Sequence, residues 1–389
     1  MLDSIRRVLS WGILKRSASF WLGVTTLLLV VVAFFTVGFR GVNERKIGWV
    51  TGYWYSPSVW GGLPVKDIEF SALTHVIHCG PTPNADGTFE EKSLQYVRDY
   101  AGELVRTAHR HNVKVLLCMG QFRAANTYTC AARPEHLGTF VSNIIELMDA
   151  YGYDGVDLDW ESGVDPQQFM NLVGALRSRL NARNPRGLLT GAFWESTWYL
   201  AKVQNDFDQI NVMTYDECSP GDGFSWHNAA LYRGPHLRRR SVDWRIRQFT
   251  SSIPAAKLGL GLPFYGYLWE GGAGTPTGGV TGPGQEWKSV PTMRLCNFRD
   301  LISNPLLWQA AYKRRDQSAG NVPYLSVDRP GSAKDSFVTY DDEISLAEKV
   351  RYAKNNRLGG LMIWELSADY MPHGAIKHPL LKSVKDAAR

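Results

Sequence analysis

Residues 153–161 read Tyr153-Asp154-Gly155-Val156-Asp157-Leu158-Asp159-Trp160-Glu161. In extended chain successive side chains point to opposite faces, so Asp157, Asp159 and Glu161 share one face while Leu158 and Trp160 take the other. The runs on either side are apolar and read as buried, and an ordinary apolar core has no reason to accept three acids. A parallel barrel does, because one face of each strand points into its interior and its sites open at the C-terminal ends of the strands. The acids would then rise from the core toward the mouth, with Glu161 uppermost. Carboxyl groups so close do not all ionise cheaply, so they share a proton, and Glu161 can stay protonated as a general acid near neutral pH.

Working outward from this strand, the chain alternates β-rich apolar runs, loops and segments of helical period, which predicts parallel strands with crossover helices. The strand candidates are Gly48–Tyr53, Leu73–Cys79, Val113–Met119, Gly155–Trp160, Leu188–Phe193, Gln209–Thr214, Leu258–Pro263 and Leu358–Trp364. Eight such strands make an α/β fold of the (β/α)8 TIM-barrel type. Asp165 before Pro166 suits a helix N-cap and first position, and Phe169, Leu172, Val173, Leu176 and Leu180 line one face of the helix that follows. Ser345 with Glu348 three residues on reads as a capping box opening the last helix. The gap between the seventh and eighth strands is too long for one crossover and rich in Gly, Pro and Thr from Glu270 to Gly284. A small α+β insertion over 268–337 accounts for it, leaving 47–267 and 338–389 as the barrel.

The N-terminus is of another kind. Ser17 to Phe39 carries no charge, and its centre, Val24 to Phe35, is strongly apolar. That is long enough to span a bilayer. A basic tail, 1–16, holds Arg6, Arg7, Lys15 and Arg16, and a polar linker, 40–46, follows. The charge bias predicts a signal anchor over 17–39 with the tail in the cytoplasm and the barrel extracytoplasmic. Secretion after signal cleavage is the alternative, although the small-x-small cleavage pattern is missing.

Composition limits the partners. The 389 residues hold 43 Lys and Arg against 37 Asp and Glu, a formal charge of +6. The bases are scattered, and the one cluster, Arg238 to Arg240, reads as a solvated loop, so no nucleic-acid partner is expected. Five cysteines show no CxxC pair and no spacing to histidine that would suit zinc, so no metal or cofactor is expected. Cys79 and Cys118 lie in apolar runs and read as small buried side chains, with a disulfide among the loop cysteines left open. A large core explains most of the 14 tryptophans, and aromatic faces also suit the apolar faces of sugar rings.

Asp154-Gly-Val-Asp-Leu-Asp-Trp-Glu161 resembles the DxxDxDxE signature of family 18 glycoside hydrolases, the chitinases. Met213-Thr-Tyr-Asp216 resembles that family's sixth-strand motif, Gly359-Gly-Leu-Met-Ile-Trp364 its eighth-strand ending, and Gly261-Leu-Pro-Phe-Tyr-Gly266 the segment before its insertion. The resemblance implies a retaining hydrolase of β-1,4-linked N-acetylglucosamine polymers, in which the substrate's own acetamido oxygen is the nucleophile. It further implies that Glu161 is the acid, Asp159 orients the acetamido group, Asp157 supports Asp159, and Tyr215 bonds the acetamido oxygen. Asp154 supports the motif, Trp364 would floor the cleft, and Asp216 and Met213 would sit beside Tyr215. Tyr53, Trp54, Trp194 and Tyr265 stand at or near strand ends where they could line subsites. Two positions depart from the family: Cys118-Met-Gly-Gln121 where Ser-x-Gly-Gly is usual, and Tyr267 where an arginine often follows Tyr-Gly. The motif does not separate chitin from other N-acetylated glycans, so an endo-N-acetylglucosaminidase stays open; a glycan-binding lectin on the same fold would typically have lost Glu161.

Overall fold

The structure is a computed structural model that describes residues 46–58, 62–120, 125–235, 239–330 and 334–389. The tail, the anchor expected over 17–39 and nearly all of the linker lie outside the described residues. No described helix is long and apolar enough to cross a membrane.

Eight parallel strands close into a barrel: β1 (Trp49–Trp54), β2 (His75–Cys79), β3 (Lys114–Gly120), β4 (Gly155–Asp159), β5 (Leu188–Phe193), β6 (Gln209–Val212), β7 (Leu258–Pro263) and β13 (Gly360–Trp364). Each pairs with its neighbour in sequence order, and β13 joins β7 to β1. Each overlaps a candidate read from sequence, with ends shifted by up to two residues. The acidic strand is the plainest case: β4 stops at Asp159, so Glu161 stands two residues beyond its end.

Helices α1 (Glu91–Arg110), α2 (Ala125–Ala131), α3 (Pro134–Tyr151), α4 (Pro166–Asn181), α5 (Trp198–Val203) and α6 (Val242–Thr250) fill the crossovers from β2 onward. Between β1 and β2 the described chain makes only two 3-10 turns, Val65–Asp67 and Phe70–Ala72. The N-cap read at Asp165 is present: its carboxylate accepts from the Gln168 N–H at 2.8 Å. The capping box needs correcting. Helix α8 (Glu343–Asn355) is capped by Asp342, whose side chain takes the Ser345 N–H while the Ser345 hydroxyl takes the Asp342 N–H. Ser345 is thus the third helical residue rather than the cap, and α8 is not the last helix, since α9 (Pro379–Ala388) follows. Asp369 opens α9 by accepting the Leu380 and Leu381 N–H groups at 3.1 and 2.9 Å.

Between β7 and α8 the chain builds an antiparallel sheet of β8 (Tyr265–Glu270), β9 (Thr292–Asn297), β10 (Lys313–Asp316), β11 (Val322–Val327) and β12 (Ser336–Thr339), in the order β10-β11-β12-β8-β9, with a short α7 (Phe298–Ile302). It has its own core, in which Trp269, Val280, Val322 and Phe337 meet Cys218 and Trp226. The last two come from the loop after β6, so this sheet is packed from the barrel side as well.

Strand β4 is seated with no slack. A Cβ on Gly155 would lie 2.2 Å from the Leu188 carbonyl oxygen and 2.7 Å from its Cβ, and neither can retreat without parting β4 from β5. Gly155→Ala should therefore lower stability by about 1–3 kcal/mol, the usual scale for overpacking a tight core, read as a lower urea midpoint at unchanged slope.

Candidate active site

Strand β4 is fixed first at its base. Asp154 Oδ2 takes the Val115 N–H at 2.8 Å and pairs with His109 Nε2 at 2.8 Å, which ties the start of β4 to β3 and places Asp154 at the barrel end opposite Glu161. Its role is to seat the strand.

The three acids above it differ in surroundings. Asp157 is fully buried, accepts the Tyr53 hydroxyl at 2.6 Å on Oδ2 and the Thr190 hydroxyl on Oδ1. Burial pushes its pKa up, and the donors Thr190, Tyr53 and Cys118 pull the other way. Asp159 is as deeply buried, yet its Oδ1 accepts no hydrogen bond among the described residues. Burial, then the neighbouring Glu161 and Asp157 carboxylates, drive its pKa well above the usual range. Glu161 is exposed at the mouth, although the cleft walls enclose much of its carboxyl. That partial burial and then the Asp216 carboxylate raise its pKa.

Tyr215, just past the end of β6, is buried, and among the described residues its hydroxyl meets the Met362 Sδ, a weak acceptor, at 3.7 Å. Burial and then Asp159 raise its pKa well above normal, so it stays a phenol. Met213, two residues earlier, is also buried. Asp216 adopts a left-handed backbone, φ 55°, which is uncommon for a residue with a Cβ. It is held there by the Asn228 Oδ1, which accepts the Asp216 N–H at 2.8 Å, and by the Tyr265 and Tyr267 hydroxyls, which both donate to Oδ1 at 2.5 and 2.7 Å. Burial raises the Asp216 pKa and those phenols lower it.

Glu161 and Asp216 open onto a cavity of about 470 Å³ walled by Trp194, Glu195, Thr197 and Tyr199 among others. Trp364 ends β13 half-buried, its ring 5.1 Å from Tyr53 and 5.9 Å from Tyr55. Trp194 lines the cavity as expected. Tyr53, Trp54 and Tyr265 do not line it: all three are buried, and their polar atoms are committed to Asp157, the Leu63 carbonyl and Asp216. The sequence puts them at strand ends but cannot say which carboxylate a phenol will reach, and here two of them act on the acids from behind.

Reading the sequence missed Glu217, Arg245, Asn228 and the part taken by Tyr267. A signal existed for Tyr267, since Tyr265-Gly-Tyr267 alternates on one strand face. No local signal marks the pair Glu217 and Arg245, which are 28 residues apart. Arg245 grips the buried Glu217 through Nε and Nη2 at 2.7 Å each, gives Nη1 to the Trp194 carbonyl at 2.6 Å, and lies 4.4 Å from the Trp194 ring. Burial pushes the Glu217 pKa up while Arg245 holds it down. Arg245→Met removes both short bonds and leaves that carboxylate to Arg240, whose Nε lies 3.4 Å from Oε2, so it should cost about 3 kcal/mol, the lower end for a broken buried pair; adding Glu217→Leu should restore much of the loss in the same urea unfolding experiment.

The model of the family described as Glycosyl hydrolases family 18 matches residues 28–369. Chitinase A1 of Niallia circulans is 28% identical over 91% of this chain and 61% of its own length. Chitinase B of Serratia marcescens is 27% identical over 67% of this chain and 65% of its own, so the chain spans less than two thirds of either relative. Among solved structures, a chitinase from Bacillus thuringiensis superposes with a TM-score of 0.73 at 26% identity, covering 88% of this chain and 70% of that one. With the barrel closed, the four-acid motif on its fourth strand and the family's pattern matched over most of its length, this chain belongs to family 18 of the glycosyl hydrolases.

Proposed function

We propose that this chain cleaves β-1,4-linked N-acetylglucosamine polymers, chitin or chito-oligosaccharides, with retention of configuration and with Glu161 as general acid and base. The observation that carries the reading is a pair of idle polar groups beside the acid. Among the described residues Asp159 Oδ1 is a buried acceptor without a donor, and the Tyr215 hydroxyl is a donor that meets a thioether. Asp159 and Tyr215 are near enough for the one to raise the pKa of the other. A 2-acetamido group supplies what both lack: its N–H for Asp159 and its carbonyl oxygen for Tyr215.

The reaction follows from that placement. Glu161 protonates the glycosidic oxygen as the bond to the anomeric carbon breaks. The acetamido oxygen, aligned by Tyr215, closes on the anomeric carbon from the opposite face, and Asp159 takes up the positive charge that develops on the amide nitrogen. Glu161, now a carboxylate, removes a proton from the water that opens this ring, so two inversions give net retention. The relatives' names support chitin as the polymer. The apolar run 17–39 with its basic flank supports a membrane-anchored enzyme whose barrel faces away from the cytoplasm. Alkaline carbonate should then leave the chain in the membrane pellet, and release into the wash would count against an anchor.

Glu161→Gln should lower turnover of chito-oligosaccharides by about 10²–10⁴-fold, the share usual for a positioned acid, with binding kept. Cleavage at parental rate by this variant would remove Glu161 from the role. The pH dependence has a definite sign. Glu161 works protonated, so kcat/KM holds below its raised pKa and falls as pH climbs through it. Asp216→Asn removes the negative charge that helps raise that pKa, so the alkaline limb should move to lower pH; an unmoved or higher limb would contradict the electrostatic account.

A further inference from the structure

Four barrel strands each place one residue on a single register row. Cys79 on β2 faces Cys118 on β3, Cys118 faces Asp157 on β4, and Asp157 faces Thr190 on β5. Direct partners in parallel strands point to the same side of the sheet, so both thiols project inward with Asp157. Contacts run along the row. The two thiols meet each other, and the Cys118 thiol bonds Asp157 beside the Tyr53 and Thr190 hydroxyls. Neighbouring strands run about 4.7–4.9 Å apart, inside the roughly 4.4–6.8 Å between Cα atoms that a disulfide accepts. Both cysteines are free thiols.

We infer that Cys79 and Cys118 form an oxidisable dithiol site within the active-site row, and that joining them alters the support of Asp157. The modifier that fits is a peroxide. Cys118 is sealed and Cys79 is 9% exposed, so a small neutral oxidant reaches the pair where a bulky disulfide does not. Hydrogen peroxide oxidises one thiol to a sulfenic acid and leaves as water. The second thiol attacks that sulfur, the S–S bond forms, and the hydroxyl departs as a second water. The two thiols supply two electrons and two protons, which balances one peroxide reduced to two waters. Cys118 then has no hydrogen to give, and Asp157 keeps only Tyr53 and Thr190. Because burial holds both thiols in their protonated form, the reaction is slow.

The bond does not depend on the substrate proposed above; its effect on turnover does, and the two are read separately. The full chain is exposed to hydrogen peroxide, quenched with catalase, alkylated in denaturant and digested without reduction, while a portion is assayed on chito-oligosaccharides. The expected result is a linked peptide joining Cys79 to Cys118, with turnover down by roughly fivefold to tenfold, the scale of one lost hydrogen bond, and both changes reversed by dithiothreitol. Cys79→Ser, compared with its own untreated rate, should resist the loss. If the two thiols are alkylated as freely after peroxide as before, the site is overturned, and this reading needs neither activity nor a variant. A linked peptide with unchanged turnover overturns the link to Asp157. Should the untreated chain cleave no chito-oligosaccharide, the proposed substrate fails and the peptide map still decides the dithiol.

Discussion

Everything in this molecule is arranged around the burial of Asp157. A carboxyl group taken fully out of water is costly unless donors meet it, and three do: the hydroxyls of Tyr53 and Thr190 and the thiol of Cys118. They arrive from β1, β5 and β3, so the demand of one carboxylate fixes the register of the strands around it. A slip of one residue in β3 or β5 would turn Cys118 or Thr190 outward and leave Asp157 without that donor. The barrel thus has a polar reason, beside its apolar packing, to close in one register.

Above Asp157 the surroundings change stepwise. Asp157 has three donors, the Asp159 Oδ1 has none among the described residues, and Glu161 opens to solvent. The middle acid lies between two others that repel its charge, and burial with that repulsion drives its pKa well above the usual range. In the proposed reaction this makes Asp159 responsive: when an acetamido N–H arrives, the acid gains a donor and its carboxylate form becomes cheaper at the moment positive charge develops on the amide. In the same scheme the support of Asp157 from below sets how readily Asp159 can take that form, and this is the route by which the Cys118 thiol would bear on turnover.

Much of this was legible in sequence because it is local. Alternation of acids at 157, 159 and 161 needs only the two-residue period of a strand, and the eight apolar runs announce themselves by composition. Asp165 before Pro166 is a cap that can be read by eye. What failed depends on long-range placement. Asp342 and Ser345 both suit a cap, and the turn entering α8 settles between them. Tyr53 and Tyr265 carry the residue type of a sugar platform, yet their hydroxyls are taken by carboxylates 104 and 49 residues away. The pair of Glu217 and Arg245 has no spacing rule at all, since the fold alone decides which residue meets a buried acid.

Asp216 shows why the inserted sheet belongs to the chemistry. Its two phenol donors sit at alternate positions of β8, the first strand of that sheet, and Asn228, which fixes its backbone N–H, bonds the Tyr265 carbonyl at 3.2 Å and the Thr339 hydroxyl of β12 at 2.9 Å. The left-handed backbone of Asp216 is thus maintained by β8 and β12 acting together. Both phenols bind the same oxygen, Oδ1. An arginine at 267 would bring a positive charge to this carboxylate, whereas a phenol steadies it and leaves its charge in place. The charge that helps keep Glu161 protonated is therefore conserved by the choice of a neutral donor, and the departure at Tyr267 is consistent with an acid held ready at the mouth of the barrel.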